Sequence, residues 1–479
     1  MDVLLVNPRY NGRSEIPPLG LECIAAVLSK HAIDAAIIDL DIDHQQEVHD
    51  YFLRLLQTHM PKIVGVTAMS HSFASAITVC QIVKDYSQNI LTVLGGIHAT
   101  VLYNSILREQ QVVDVIVRGE GELSFLELTQ NFLKGRPFSY IDGISFHNDG
   151  KTVHNNDRGL TKDLDSFPLP SHNLVENEKY KTRSISSSRG CFHNCTFCSI
   201  RSLYGNIIRI RSVDTIIEET EDLIRYGARR IMFTDENFTF SLKRVRHLCN
   251  EIVRRRLHKK VVFYAEGRID DICQTPIMAQ LLSDAGFKGL YIGAESGSQK
   301  ILNYYRKEMA PDTIVQGVSY CIEQNLLPIV NFILFGPRDT VDSIKETINI
   351  AKKVYESGAE IVYAEMLIPY PGTPIKTELE KEGKFKEVEG IYYFESYEGL
   401  DIEWILQCCN AARDMAYLTH KDDLFFSTKK TYFELCCLDE LLENRIPSEF
   451  EELYQHHLFM GNVPEMINNT HRSVGNLIH

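Results

Sequence analysis

The chain has no run approaching the roughly 18 uninterrupted apolar residues that a membrane-spanning helix needs. Its first residues, Met1-Asp2-Val3-Leu4-Leu5-Val6, carry no basic flank of the kind that opens a secretory signal. Fifty basic residues stand against 64 acidic ones, a formal net charge of -14, an acidic balance that argues against a nucleic-acid backbone as the main partner. No tandem repeat or low-complexity tract interrupts 479 residues of ordinary globular composition, 44% apolar and 24% charged. The expectation is a cytoplasmic globular protein of roughly three domains, without a membrane or nucleic-acid partner.

Twelve cysteines are many for such a chain, because a reducing compartment shifts suspicion from disulfides to metal or catalytic roles. Cys23, Cys80, Cys249, Cys273 and Cys321 stand alone in apolar surroundings and read as small buried hydrophobes. The pairs Cys408-Cys409 and Cys436-Cys437 read as packing, since helical neighbours point about 100° apart and seldom reach one metal. Cys191, Cys195 and Cys198 stand together.

Hydropathy patterning divides the chain. Residues 1–140 alternate short apolar runs (VLLVNP, AAIIDL, IVGVTAM, TVLGGI, VDVIV) with helical stretches such as Leu21 to Lys30 and Ser75 to Tyr86. That alternation predicts a parallel, doubly wound sheet of the Rossmann or flavodoxin-like kind. Its strands run into polar or Gly-rich turns at Asn7-Pro8-Arg9, Thr67 to His71, Gly95-Gly96-Ile97-His98 and Arg118-Gly119-Glu120-Gly121-Glu122. In open sheets the carboxyl ends of the strands form the ligand crevice, and glycine lets a ligand approach the backbone. Residues 141–180 carry a hairpin signal, Asn148-Asp149-Gly150, and a stiff linker, Phe167-Pro168-Leu169-Pro170. Residues 181–380 resume the alternation with strands at Arg183–Ser188, Arg230–Thr234, Val261–Ala265, Gly289–Gly293, Ile329–Phe335 and Glu360–Ile368, six units that suit a partial (β/α)6 barrel. Residues 381–479 read as a mostly helical domain shaping a substrate pocket. Its aromatics Tyr392, Tyr393, Phe394, Tyr397 and Phe425-Phe426 build core or a lid.

The segment Arg189-Gly190-Cys191-Phe192-His193-Asn194-Cys195-Thr196-Phe197-Cys198 follows a strand and offers three thiols on one loop. Two further cysteines at fixed offsets from any of twelve is an event rarer than about one in a hundred. Soft thiolates select zinc, copper(I) or iron–sulfur clusters. Structural zinc usually takes four protein ligands, and His193 is too near in sequence to complete such a site. Three ligands on a four-iron cluster leave one iron open.

Here the chain resembles the radical S-adenosylmethionine (radical SAM) enzymes, whose signature is C-x3-C-x2-C with an aromatic before the last cysteine, here Phe197. The resemblance implies a 4Fe-4S cluster on Cys191, Cys195 and Cys198, metal ligands and catalytic centre at once. Its open iron chelates S-adenosylmethionine, and one electron from a donor such as flavodoxin or ferredoxin releases a 5′-deoxyadenosyl radical. Hydrogen abstraction from an unactivated carbon needs such a radical, which no side chain supplies. Further matches lie at or just past successive predicted strand ends. Asp235 and Glu236 in Phe233 to Phe238 resemble the second-strand element, which holds the methionine amino group. Arg268 in Glu266-Gly267-Arg268 resembles a contact to the cofactor carboxylate or ribose. Glu295 and Ser296 in Gly293 to Gly297 resemble the fourth-strand motif, and Phe335 with Gly336-Pro337 and Pro369 to Pro374 resemble the fifth- and sixth-strand turns.

VNP near the start, GGIHAT and VDVIVRGEGE are similar to the cobalamin-binding domains that precede the barrel in cobalamin-dependent radical SAM enzymes, class B methyltransferases and an anaerobic porphyrin ring cyclase among them. The resemblance implies cobalamin contacts at Asn7, Thr67, Ser70, Gly95, Gly96, His98, Gly119 and Glu120. The lower-ligand motif D-x-H-x-x-G is absent: His44, His49, His71 and His98 have Ile42, Glu47, Met69 and Gly96 two places earlier. That fits cobalamin bound without histidine, and fits equally a relic domain. The leading expectation is cobalamin-dependent methylation of an unactivated carbon in a small-molecule or natural-product substrate. The alternative keeps the radical and drops methyl transfer, giving cyclisation, ring contraction, dehydration or redox rearrangement. A third reading, a sensor without catalysis, needs no open iron.

Overall fold

The computed structural model describes residues 1–10, 16–42, 48–148, 150–175, 177–180, 182–388 and 391–398, with Leu435, Leu438 and Asp439. Strands β1 (Val3–Asn7), β2 (Ala35–Asp39), β3 (Ile63–Thr67), β4 (Leu91–Gly95) and β5 (Val115–Val117) run parallel in the order β2-β1-β3-β4-β5. Helices α1 (Leu19–Lys30), α2 (Val48–His59), α3 (Phe73–Tyr86), α4 (Ile97–Glu109) and α5 (Gly121–Leu133) alternate with them. Val3 and Leu5 join the core on one face of the sheet and Leu4 and Val6 the core on the other. Burial on both faces is why β1 reads as a continuous apolar run rather than an alternating one. Each such side chain contributes about 1.5–3 kcal/mol.

The hairpin read between Ile144 and His154 does not stand in a linker. Strands β6 (Ile144–Asn148) and β7 (Lys151–His154) pair antiparallel, and β6 pairs antiparallel with β5, extending the first sheet to seven strands. The physical reason is that β5 would otherwise leave an edge of unpaired backbone groups.

The second sheet has six strands, β8 (Arg183–Ile185), β11 (Arg230–Phe233), β12 (Val262–Gly267), β13 (Phe287–Glu295), β14 (Leu327–Leu334) and β15 (Glu360–Met366), in the order β15-β14-β13-β12-β11-β8. Sequential order with a helix between strands is the open form of a (β/α) barrel. A short antiparallel ribbon, β9 (Ser188–Arg189) with β10 (Arg209–Ile210), brackets the cysteine loop and α6 (Ile200–Tyr204). After helix Pro374–Lys381 the region expected to be helical starts with an antiparallel hairpin, β16 (Phe385–Val388) with β17 (Ile391–Phe394), on which Tyr392 and Phe394 are buried. The rest of that expectation, with Phe425-Phe426 and the pairs Cys408-Cys409 and Cys436-Cys437, lies outside the described residues. Among the described residues no helix is long and apolar enough to cross a membrane.

By compactness the chain forms two units. The first holds Met1–Phe192, Ser199–Glu236 and Asn250–Phe263, the second His193–Cys198, Asn237–Cys249 and Tyr264 onward. Inside the first unit a buried charge cluster ties α1 to the segments that follow the linker. The ring nitrogens of His172 lie 3.1 Å from Glu22 Oε2 and 3.1 Å from Glu219 Oε1, on α7 (Val213–Arg225). Arg183 donates to Glu22 at 3.0 Å, and Arg211 pairs with Glu219. Burial opposes the charged imidazole, but hydrogen bonds to Glu219 and Glu22 outweigh it and raise the His172 pKa. With a carboxylate at each nitrogen, both nitrogens carry a proton.

A raised folded-state pKa stabilises below the unfolded value of about 6.5, and that contribution fades as pH climbs through the folded value. The urea midpoint is therefore expected to fall as pH rises above about 6.5. His172→Gln should flatten that slope, and a slope left unchanged in the variant would refute the pairing.

Candidate active site

The turns after β3, β4 and β5, the start of α1 and the chain following β8 and β11 wall one cavity of about 310 Å³ within the first unit. Part of its lining is apolar, with Leu5, Gly65, Val93, Val117 and Phe125, and part is polar, with Thr67, Glu120, Glu122, Ser186, Arg189, Thr234 and Glu236. Glycine keeps it open. A Cβ at Gly20 or Gly119 would meet nothing within 4 Å, and one at Gly95 nothing nearer than 3.9 Å. Gly96 serves otherwise: its φ is +94°, and a Cβ there would press to 2.6 Å on the Ala68 carbonyl. These features suit a large, flat, partly apolar ligand lying on exposed backbone.

Five of the eight residues expected to touch cobalamin line this cavity: Thr67, Gly95, Gly96, Gly119 and Glu120. Three do not. Asn7 donates to Asp39 at 2.8 Å, because it closes β1 against the neighbouring β2. Ser70 and His98 bond each other at 3.0 Å, with the His98 ring 4.4 Å from Phe73, because His98 sits on the first turn of α4 beside α3. Both oxygens of Glu120 are engaged: Arg189 Nη1 reaches Oε1 at 2.7 Å and Arg209 Nη1 reaches Oε2 at 2.8 Å. Burial pushes that carboxyl up, but Arg209 and Arg189 overcome it and hold its pKa below the ordinary value.

Asp235 and Glu236, adjacent in sequence, diverge. Asp235 is fully buried and accepts from the Ser187 backbone N–H at 3.1 Å and from the Ser187 and Ser188 hydroxyls. It pins the bend between β8 and β9. Glu236 accepts the Gly190 N–H at 2.9 Å and lines the cavity, its pKa raised by burial. Cys23, read as a buried hydrophobe, is only part-buried; it also lines the cavity, 4.0 Å from Arg189, and its thiol is pushed up to about 12 by desolvation. Nothing in its sequence neighbourhood signalled that position. Arg189, Glu122 and Tyr204, also on the wall, were likewise not singled out, although Arg189 stands two residues before Cys191.

In the second unit, Cys195 lies in the field of Lys307, Glu295 and Arg268; burial raises its pKa, and the two cations oppose that rise. Lys307 Nζ donates to Glu295 Oε1 at 2.7 Å, and Arg268 pairs with Asp270 and donates to the Lys307 carbonyl at 2.6 Å. Ser296 is fully buried and shares a hydroxyl hydrogen bond with Thr347 at 2.8 Å, so it shapes the turn after β13. Phe197 packs edge-on to Tyr305 with ring centroids 5.2 Å apart, and the Thr196 N–H donates to the Tyr305 carbonyl at 3.1 Å, anchoring the cysteine loop. Glu295 and Phe335, at the ends of β13 and β14, hold φ at 64° and 57°. Left-handed backbone at non-glycine residues is costly, and it concentrates where side chains must be aimed. Among the described residues no three His, Cys, Asp or Glu side chains are gathered as a ligand set for one metal ion.

Comparison with known proteins resolves which family shares this arrangement. Residues 11–129 match the model of the B12 binding domain and residues 185–351 that of the radical SAM superfamily. A Pyrococcus horikoshii protein named as an uncharacterized methyltransferase is 33% identical over 365 residues, 74% of this chain and 77% of the relative. The chain belongs to the B12-binding radical SAM family. It is an enzyme of that family, whose cofactors are a 4Fe-4S cluster, S-adenosylmethionine and cobalamin. The anaerobic magnesium-protoporphyrin IX monomethyl ester cyclase of Rubrivivax gelatinosus is 28% identical over 402 residues, 79% of this chain and 70% of the relative. The cobalamin-dependent radical enzyme OxsB shares the fold at a TM-score of 0.73 and 15% identity, covering 100% of this chain and 84% of that one.

The two glycines should separate on substitution. Gly119→Ala, strained in φ but with space for the methyl, is expected to cost about 1–2 kcal/mol of unfolding free energy. Gly96→Ala adds a backbone collision and should cost clearly more. Equal denaturation midpoints for the two variants would contradict the geometry.

Proposed function

We propose that this B12-binding radical SAM enzyme methylates an unactivated carbon of a small molecule. The observation that carries the reading is the glycine-lined cavity, walled by turns of the B12-binding segment and by Ser186, Thr234 and Glu236 of the radical SAM segment. A relic domain would have no reason to keep backbone bare at Gly20, Gly95 and Gly119 beside radical SAM residues. The name of the Pyrococcus relative supports the same choice.

When bound, the cluster, S-adenosylmethionine and cobalamin supply a carbon-centred oxidant and a transferable methyl group. The chain's own groups bind and orient. Cys191, Cys195 and Cys198 offer three soft thiolates, one fewer than a closed site takes. Glu295 presents a carboxylate suited to the cofactor's ammonium, its orientation fixed by Lys307. Arg268, held by Asp270, presents a guanidinium suited to the cofactor's carboxylate. Phe197 seats the loop against Tyr305, and Phe335 stands buried just past the end of β14. Glu236 sets a carboxyl on the cavity wall, oriented by the Gly190 N–H. Thr67, Gly95, Gly96 and Gly119 form the floor for the corrinoid. An external one-electron donor of the flavodoxin or ferredoxin type completes the requirement.

The cyclase relative favours a second reading, in which the same radical closes a ring and no methyl group moves. Products decide between them. Methylation yields S-adenosylhomocysteine and 5′-deoxyadenosine together, with isotopic label passing from the S-adenosylmethionine methyl to substrate; the rival yields 5′-deoxyadenosine alone. Alanine at Cys191, Cys195 or Cys198 is expected to remove most iron and lower 5′-deoxyadenosine formation at least a thousandfold while the far-ultraviolet circular dichroism persists. Undiminished iron and turnover would sink the assignment.

A further inference from the structure

The turn after β5 is tied to the cysteine loop by a buried clamp rather than by van der Waals contact alone. Glu120 receives Arg189 on one side, at 2.7 Å, and Arg209 on the other, at 2.8 and 3.0 Å. Arg189 also reaches Glu122 at 2.6 Å, so one guanidinium spans both carboxylates of the Gly119-Glu120-Gly121-Glu122 turn. The two arginines face each other across the β9–β10 ribbon, Arg189 paired with Arg209. Arg189 stands two residues before Cys191, and Arg209 closes the excursion that carries Cys195, Cys198 and α6. Arg209 is further fixed by the Thr161 carbonyl at 2.8 Å. On the far side of the turn the Gly119 N–H donates to Thr100 of α4 at 3.0 Å. Whatever lies on Gly119 therefore bears on a turn whose carboxylates are held by both ends of the cysteine excursion.

We propose that Arg209, acting through Glu120 and Arg189, is a positioning residue that couples occupancy of the glycine-lined cavity to the state of the cysteine loop. The inference rests on that cavity being the cobalamin site. Charge assistance makes these hydrogen bonds short and directional, so a shift at Gly119 is passed to Arg189 and Arg209 instead of being absorbed by side-chain slack. Coupling of this kind is reciprocal: if loading the cluster tightens cobalamin binding, cobalamin steadies the cluster by the same factor. The device has a chemical use. Radical formation without a methyl donor in place wastes S-adenosylmethionine and exposes the protein to its own oxidant.

Arg209 is absent from the cavity wall, which makes it a suitable probe. Hydroxocobalamin affinity is measured on reconstituted protein and on protein stripped of iron, for the unsubstituted chain, Arg209→Gln, Arg209→Lys and Glu120→Gln. The unsubstituted protein should bind about tenfold tighter when the cluster is loaded, within the usual range of coupling between sites. Arg209→Gln and Glu120→Gln should bring the ratio near one while iron content stays full; Arg209→Lys, which keeps charge but loses the forked geometry, should restore part of it. The electron paramagnetic resonance spectrum of the reduced cluster should respond to hydroxocobalamin in the unsubstituted protein and stop responding in Arg209→Gln. A ratio near ten in both neutral variants overturns the clamp alone. An unsubstituted protein that binds no hydroxocobalamin in either form overturns the cavity's assignment and this inference with it.

Discussion

The first unit of this enzyme is organised around charges that have been taken out of water and paired. Glu22, Glu120, Glu122 and Glu219 face Arg183, Arg189, Arg209, Arg211 and His172 in buried or nearly buried positions. Net stability is not the reason for such an arrangement, because desolvation cancels much of the attraction. Its value is geometric. A buried ion pair has one low-energy arrangement, whereas an apolar contact tolerates sliding, so α1, the Gly119–Glu122 turn and the approach to Cys191 are fixed in one register. The cavity exists because that register holds its walls apart.

Bare backbone and strained backbone divide the remaining work. In the first unit glycine leaves space at Gly20, Gly95 and Gly119, on the wall of the cavity. In the second unit the chain accepts left-handed φ at Glu295 and Phe335, side chains that must be presented at the ends of adjacent strands. The register shift between Gly293 and Glu295 in the β13–β14 pairing accompanies the first of these.

Much of this was legible in the residues. The continuous run Val3 to Val6 fits a strand buried on both faces, and the six later runs recur with the spacing of β/α units. The glycine turns signalled a ligand crevice, and the cysteine spacing signalled the cluster chemistry. Less legible were the roles of individual polar side chains. Asp235 and Glu236 are chemically alike and adjacent, yet one is spent on Ser187 and Ser188 while the other reaches the cavity. The turn signal at Asn148-Asp149-Gly150 announces the hairpin, but its pairing with β5 is a long-range fact that no local signal carries.

Sequence alone therefore determined element order, the two cofactor-binding segments and the soft donor set, because hydropathy period, turn chemistry and donor type are properties of neighbouring residues. Tertiary structure alone decided which acids are struts and which line the cavity, that Cys23 and Arg189 belong to its wall, and that His98 and Ser70 bond each other. Those outcomes depend on partners brought in from distant parts of the chain: a carboxylate becomes a strut only when an arginine 69 or 89 residues away arrives beside it.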